Sequence, residues 1–153
     1  MHSLGNYSYD DSNWPLLIAH LDGMPTRQEY EAYLARSTDY LHRGEPHVIL
    51  VDLSRSGVVS AELRRLQAEW LRQYEELIRR QVLGVAYIIH TALIRLTLSA
   101  IFHVKRPACP YILVSREDQA LAWAIKRLEA ADLRAPAERI RRKVGLPSEH
   151  QAG

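Results

Sequence analysis

The sequence predicts an α/β domain: a mixed, largely parallel sheet of four to five strands with flanking helices. Three observations lead there. Two apolar runs, "HVILVDL" (residues 47–53) and "VLGVAYII" (residues 82–89), are continuous and rich in β-branched residues. Such runs form strands covered on both faces, as in a sheet between helices. Stretches with three- and four-residue apolar spacing separate and follow these runs, and strands alternating with helices imply parallel pairing.

Each element has its own local signal. "NYSYDDSNWPLLIAHLDG" reads as a hairpin: a short strand, a turn at Asp-Ser-Asn, then a strand over about residues 14–21. "GMPT" closes it. Thr26 and Glu29 then form a capping box, in which each side chain reaches the other residue's backbone N–H. The helix they open runs to about residue 42, with Tyr30, Tyr33, Leu34, Ser37 and Leu41 on one stripe and Gly44 as its stop. After the 47–53 strand, a helix is expected over about residues 61–80, with Leu63, Leu66, Trp70, Tyr74, Leu77 and Ile78 inward. Glu75–Arg79 and Glu76–Arg80 support it by about 0.3–0.5 kcal/mol each. The 82–89 strand leads to a helix over about residues 92–103. Pro107 and Pro110 then hold the chain extended before the short strand "YILVS". Ser115 to Asp118 resembles a capping box for a helix ending near residue 130. A short basic helix, about residues 137–144, follows Pro136 and precedes a polar tail.

The 153 residues provide one sizeable core. We divide them into a single domain over 1–133 and a basic C-terminal helix and tail over 134–153. The net charge of +2 is too small to imply a polyanion partner, and no aromatic residues interleave the basic ones, so nucleic acid is disfavoured. Charge is unevenly placed: residues 1–45 hold three Arg against seven acids, and residues 124–153 hold seven Lys and Arg against four acids. The one cysteine, Cys109, cannot form an internal disulfide, and the start of the sequence has no apolar signal segment; both point to the cytoplasm. Residues 82–104 are apolar enough to raise a membrane span, but Arg95 at mid-span and the change of periodicity near His90 and Thr91 favour a buried strand followed by a helix.

Four segments resemble the SpoIIAA-like branch of the STAS superfamily, the sulfate transporter and anti-sigma-factor antagonist domains. They are "WPLLIAHLDGMPTRQEYEAYL", "VILVDLSRSG", "VLGVAYIIHTALIRLTLSAIF" and "YILVSREDQALAWAIKRL", the last with Ala120 and Trp123; together they span roughly residues 14–128. The resemblance implies a regulatory, non-enzymatic role. Phospho-switch antagonists of this superfamily carry Asp-Leu-Ser, then Asp-Ser-Ser-Gly at a helix start. This chain matches the first at Asp52, Leu53 and Ser54, and departs from the second, reading Val59, Ser60, Ala61 and Glu62.

The residues themselves offer a short list of sites. Asp52, Ser54, Ser56, Gly57 and Ser60 form a loop at the carboxyl end of a parallel strand, where α/β sites gather. There Ser60 reads first as a helix cap and second as a phosphate acceptor, and Ser54, Ser56 and Gly57 with Arg55 read first as a plain loop and second as an anion cradle. Thr91, Arg95 and Ser99 share one helix face, with Leu93, Leu96, Ala100 and Ile101 on another. With His90 nearby, this allows a pocket for a lipid or small anionic ligand, against the simpler reading of a paired structural Arg. Arg139, Arg141, Arg142 and Lys143 make a basic patch that is either a solvated helix face or a contact for membrane phosphates. The histidines show no zinc-ligand spacing, no cofactor motif occurs, and no catalytic constellation is found. The expected function is therefore a non-catalytic module that binds a protein partner through the 52–60 loop and its helix. Lipid or small-molecule binding near Arg95 is the alternative. Edge strands and apolar helix faces also offer a homodimer surface.

Overall fold

The structure is a computed structural model and describes residues 4–146. Its elements run β1 (Leu4–Asn13), β2 (Leu16–Met24), α1 (Arg27–Leu41), β3 (His47–Asp52), α2 (Ala61–Gln73), α3 (Glu75–Gln81), β4 (Val82–Ile88), α4 (Ala92–Val104), β5 (Tyr111–Val114), α5 (Glu117–Ala130) and α6 (Arg134–Lys143). The five strands lie in the order in which they occur along the chain. β1 pairs antiparallel with β2, and every later neighbour is parallel.

Strand alternation splits the core in two. Ile18, Leu50, Ala86 and Ile112 are aligned across β2 to β5 and face α5 and α6. Ala19, Val51, Tyr87 and Leu113, one residue on, face α1, α2 and α4. Both faces of β3 and β4 are thus dry, which is why their sequences read as unbroken apolar runs.

Local signals hold where they are strong. Thr26 Oγ1 accepts the Glu29 N–H at 3.1 Å, and Glu29 accepts the Thr26 N–H at 2.8 Å, completing the capping box. Gly44 ends the helical segment with a φ of 72°, a conformation that favours glycine. Residues 82–104 form β4 and α4, and among the described residues no helix is long and apolar enough to cross a membrane.

Several expectations need correction. The first turn falls at Trp14 and Pro15, after the Asp-Ser-Asn segment, which stays within β1. Pro15 has no N–H to give a strand ladder and suits the turn better. The expected 61–80 helix is interrupted at Tyr74, whose ψ of 18° departs from the helix while its N–H still reaches Trp70 O at 3.0 Å. Helix α5 starts at Glu117, and the Arg116 N–H, not that of Ser115, donates to the Gln119 side chain at 3.2 Å. Helix α4 buries Ile94, Leu98 and Ile101, whereas Leu93 and Leu96, expected on its apolar face, are 55% and 66% exposed. Helix α6 begins at Arg134, with Pro136 in its first turn, where a missing N–H breaks no helical bond. Ala137 and Ile140 bury themselves in the α5 core. Burial of an Ile side chain such as Ile140 stabilises by about 1.5–3 kcal/mol. The polar tail beyond residue 146 lies outside the described residues, as do His2 and His150.

Candidate functional site

The loop after β3 sits at the carboxyl end of the parallel strands, and its two ends are anchored by burial. Leu53 and Val59 are 8% and 7% exposed and belong to the core under α1 and α2. The chain between them cannot follow the sheet, so its backbone groups find other partners. The Leu53 N–H continues the ladder to Ile88 O at 2.9 Å. The Ser54 N–H turns back onto Asp52 Oδ1 at 2.9 Å. The Ser56 N–H donates to Leu53 O at 3.1 Å. Beyond it, Gly23 and this loop exchange two bonds: Gly23 N–H to Arg55 O at 2.8 Å and Gly57 N–H to Gly23 O at 2.9 Å. Gly23 has a φ of 74°, which a side chain would oppose.

These bonds bear on the two readings of the loop. An anion cradle needs convergent free N–H groups. Those of Ser54, Ser56 and Gly57 are all engaged by the protein, so the loop presents side chains instead. Arg55 and Ser60 are exposed, and Val58 is 42% exposed. Met24, at the end of β2, is 48% exposed and lies against Gly57.

Ser60 caps α2: its Oγ accepts the Leu63 N–H at 3.3 Å. Arg64 reaches the Val59 carbonyl at 2.8 Å from the same first turns. Glu62, beside the cap, is bridged to Arg27 at the start of α1. The starts of α1 and α2 thus share an ion pair at the loop's rim. Arg27, Met24 and Val58 carry no motif and were not among the sequence candidates. Their roles depend on the ends of β2, β3 and α1 meeting.

Asp52 faces across the sheet, with its Oδ2 3.4 Å from His20 Nδ1. Burial raises its pKa, but the bonds from Ser54 and the charge of His20 outweigh it, so Asp52 titrates below an ordinary Asp. It is a capping and pairing group within the fold. Burial pushes the Cys109 thiol up to about 12, against the opposing effect of Arg127, so the thiol is protonated at neutral pH.

The expected Arg95 group does not come together around an apolar cavity. His90, Arg95 and Ser99 are all exposed, and the cavity lies on the buried side of α4, where Ile94, Leu98 and Ile101 line it. Ser99 instead borders a shallow depression with His103, Arg106 and Tyr111. In the basic patch, Arg141 pairs with Glu129 at 2.8 Å and Arg139 donates to Trp14 O at 2.8 Å, both contacts that dock α6; Arg142 and Lys143 are exposed. Among the described residues, no three His, Cys, Asp or Glu side chains converge on a metal-sized site.

No family model matches the sequence, and no curated protein matches it significantly. Solved structures do match. A DUF3478-family protein from Shewanella loihica PV-4, described as having a SpoIIAA-like fold, aligns with a TM-score of 0.60 at 17% identity, over 81% of this chain and 98% of that one. The fold is SpoIIAA-like. An anti-sigma factor antagonist from Mycobacterium paratuberculosis aligns with a TM-score of 0.51 at 13% identity, over 78% of this chain and 93% of that one. At these identities the likeness concerns the SpoIIAA-like backbone, and the side chains described above are this chain's own.

Proposed function

We propose that this SpoIIAA-like domain is a regulatory module without catalysis, which binds a protein partner through the loop at residues 53–60 and the start of α2. One observation carries the reading. The loop backbone is fixed by bonds to β2 and β4, while Met24, Arg55, Val58 and Ser60 stand exposed on it and beside it. A rigid backbone that displays apolar and polar side chains loses little entropy on docking. The Mycobacterium paratuberculosis neighbour is by name an anti-sigma factor antagonist, which agrees with a regulatory role for this fold.

The test is comparative pull-down with the intact chain, Val58→Asp and Ser60→Glu, alongside circular dichroism. The expected result is a partner captured by the intact chain and reduced or lost with both variants, whose spectra remain native. An unchanged capture profile counts against the loop as the contact. Sedimentation of the protein alone separates a second copy of this chain from a foreign partner.

A further inference from the structure

β5 is the last strand of the sheet, so only one of its edges is paired. The Val85 N–H reaches Pro110 O at 3.0 Å and the Ile89 N–H reaches Val114 O at 2.9 Å. Bonding residues alternate along a strand of a parallel ladder, so the N–H and C=O of Ile112 and Val114 face β4. Those of Tyr111 and Leu113 therefore point away from the sheet. Among the described residues, no hydrogen bond is made to them.

A groove runs beside this edge. The Tyr111 and Leu113 side chains stand on the α4 side of the sheet. With Ser99, Phe102, His103 and Arg106 they border a shallow depression. Arg95 lies one turn before Ser99 on the same face of α4. Arg95, Ser99 and His103 thus form a row along α4, and Arg106 follows the end of the helix. Residues 82–116, which span β4, α4 and β5, hold four Lys and Arg and no acid. Lys105 is paired with Glu75, and Arg116 with Asp118. Arg95 and Arg106 are exposed, and among the described residues neither has an acid partner. We propose that this edge binds an extended acidic peptide, which adds as a strand along β5 and sets its carboxylates against Arg106 and the α4 row.

Charge selects the occupant. β5 of a second copy would bring two basic rows together, which like charges oppose. An acidic strand answers both the backbone groups and the cations. Edge strands take peptides in this way: main-chain bonds hold the peptide, and contacts to alternate side chains give specificity. β5 is four residues long, so backbone bonds alone hold a peptide weakly and the cations matter. The edge shares no residue with the loop at 53–60, and the variants that test it are different.

The experiment titrates the full chain with a short blocked peptide of alternating glutamate and valine. Amide exchange and amide resonances are followed. Ile112 and Val114 should be protected in the free protein, and Tyr111 and Leu113 should become protected only with the peptide. The same peptide with lysine for glutamate, or N-methylated at every residue, should not bind. Arg106→Glu should weaken binding about three- to tenfold with an unchanged circular dichroism spectrum. Should Arg106→Glu fail to fold, the lysine peptide decides the role of charge. Absence of binding, binding that leaves Tyr111 and Leu113 unprotected, or equal binding of the lysine peptide overturns the proposal. So does sedimentation of the protein alone showing a second copy that already protects these amides.

Discussion

Gly57 donates its N–H to the carbonyl of Gly23 at 2.9 Å, and this bond ties the loop after β3 to the end of β2. The approach is close. A methyl group on Gly57 would run into the Met24 side chain and stand 3.3 Å from Gly23 O. Gly57→Ala should therefore destabilise by about 1 kcal/mol, less than a core overpacking because Met24 is half exposed. Urea unfolding gives the energy, and faster amide exchange at Gly57 would show the loop loosening.

Capping and phosphorylation at Ser60 are separable. Ser60→Ala removes the acceptor for the Leu63 N–H and should cost about 1 kcal/mol, whereas Ser60→Asp keeps a cap and should be close to neutral. Thr26→Ala should cost a similar amount at α1. If Ser60→Ala leaves the unfolding midpoint unchanged, the cap contributes nothing and a solution role for the hydroxyl gains weight. Intact mass after incubation with a cognate kinase then tests that role directly.

A stiffer constraint lies at Gly84 on the other sheet face. A Cβ there would meet Trp123 Cη2 at 2.5 Å and Pro110 O at 3.3 Å. An indole ring and a backbone carbonyl give way less easily than a methionine. Gly84→Ala is expected to cost about 1–3 kcal/mol, more than Gly57→Ala, by the same urea measurement.

Stability should fall on mild acidification because of His47. Burial is the main cause of its lowered pKa and Arg43 adds to it, while the Glu45 carbonyl and carboxylate oppose. The unfolded chain binds a proton near the ordinary histidine pKa of about 6.5, and the folded chain only at lower pH. Between those two values the unfolded state holds more protons, so stability rises with pH; above 6.5 this contribution is constant. His47 adds at most about 1.4 kcal/mol per pH unit. Melting curves from pH 7 to 5 should show a slope that His47→Leu reduces.

Helix α6 packs on α5 through Ala137 and Ile140. Ile140→Ala should cost about 2–5 kcal/mol, the range for emptying a buried aliphatic site. Removing residues 134–153 should uncover the Leu128 side of α5 and raise dye binding to exposed apolar surface. A truncated chain as stable as the whole would support a domain that ends at residue 133.

How much of this was legible in advance varies with how local each cause is. The Thr26–Glu29 box and the strands at 47–52 and 82–88 could be read because their determinants lie within a few residues. The connection at residues 53–60 could be read as a loop for the same reason, since a strand end and a helix cap flank it. Helix α4 shows the opposite case. Leu93, Ile94, Leu96, Leu98 and Ile101 are spread around the axis, so periodicity did not choose the buried face. Contact with β4 and α2 chose Ile94, Leu98 and Ile101 and left Arg95 outside.

The sequence by itself determined the order of strands and helices, the caps that start α1 and α2, and the two-sided burial of β3 and β4. Only the tertiary structure decided what those elements enclose. His47 meets Trp14, whose ring stacks on it at 4.8 Å from far along the chain. Arg27 meets Glu62, and Gly57 meets Gly23, only once β2 and β3 lie side by side. Hydrogen bonds and apolar walls act over a few ångströms, so a cavity or docking loop exists only after distant segments have been brought within that range.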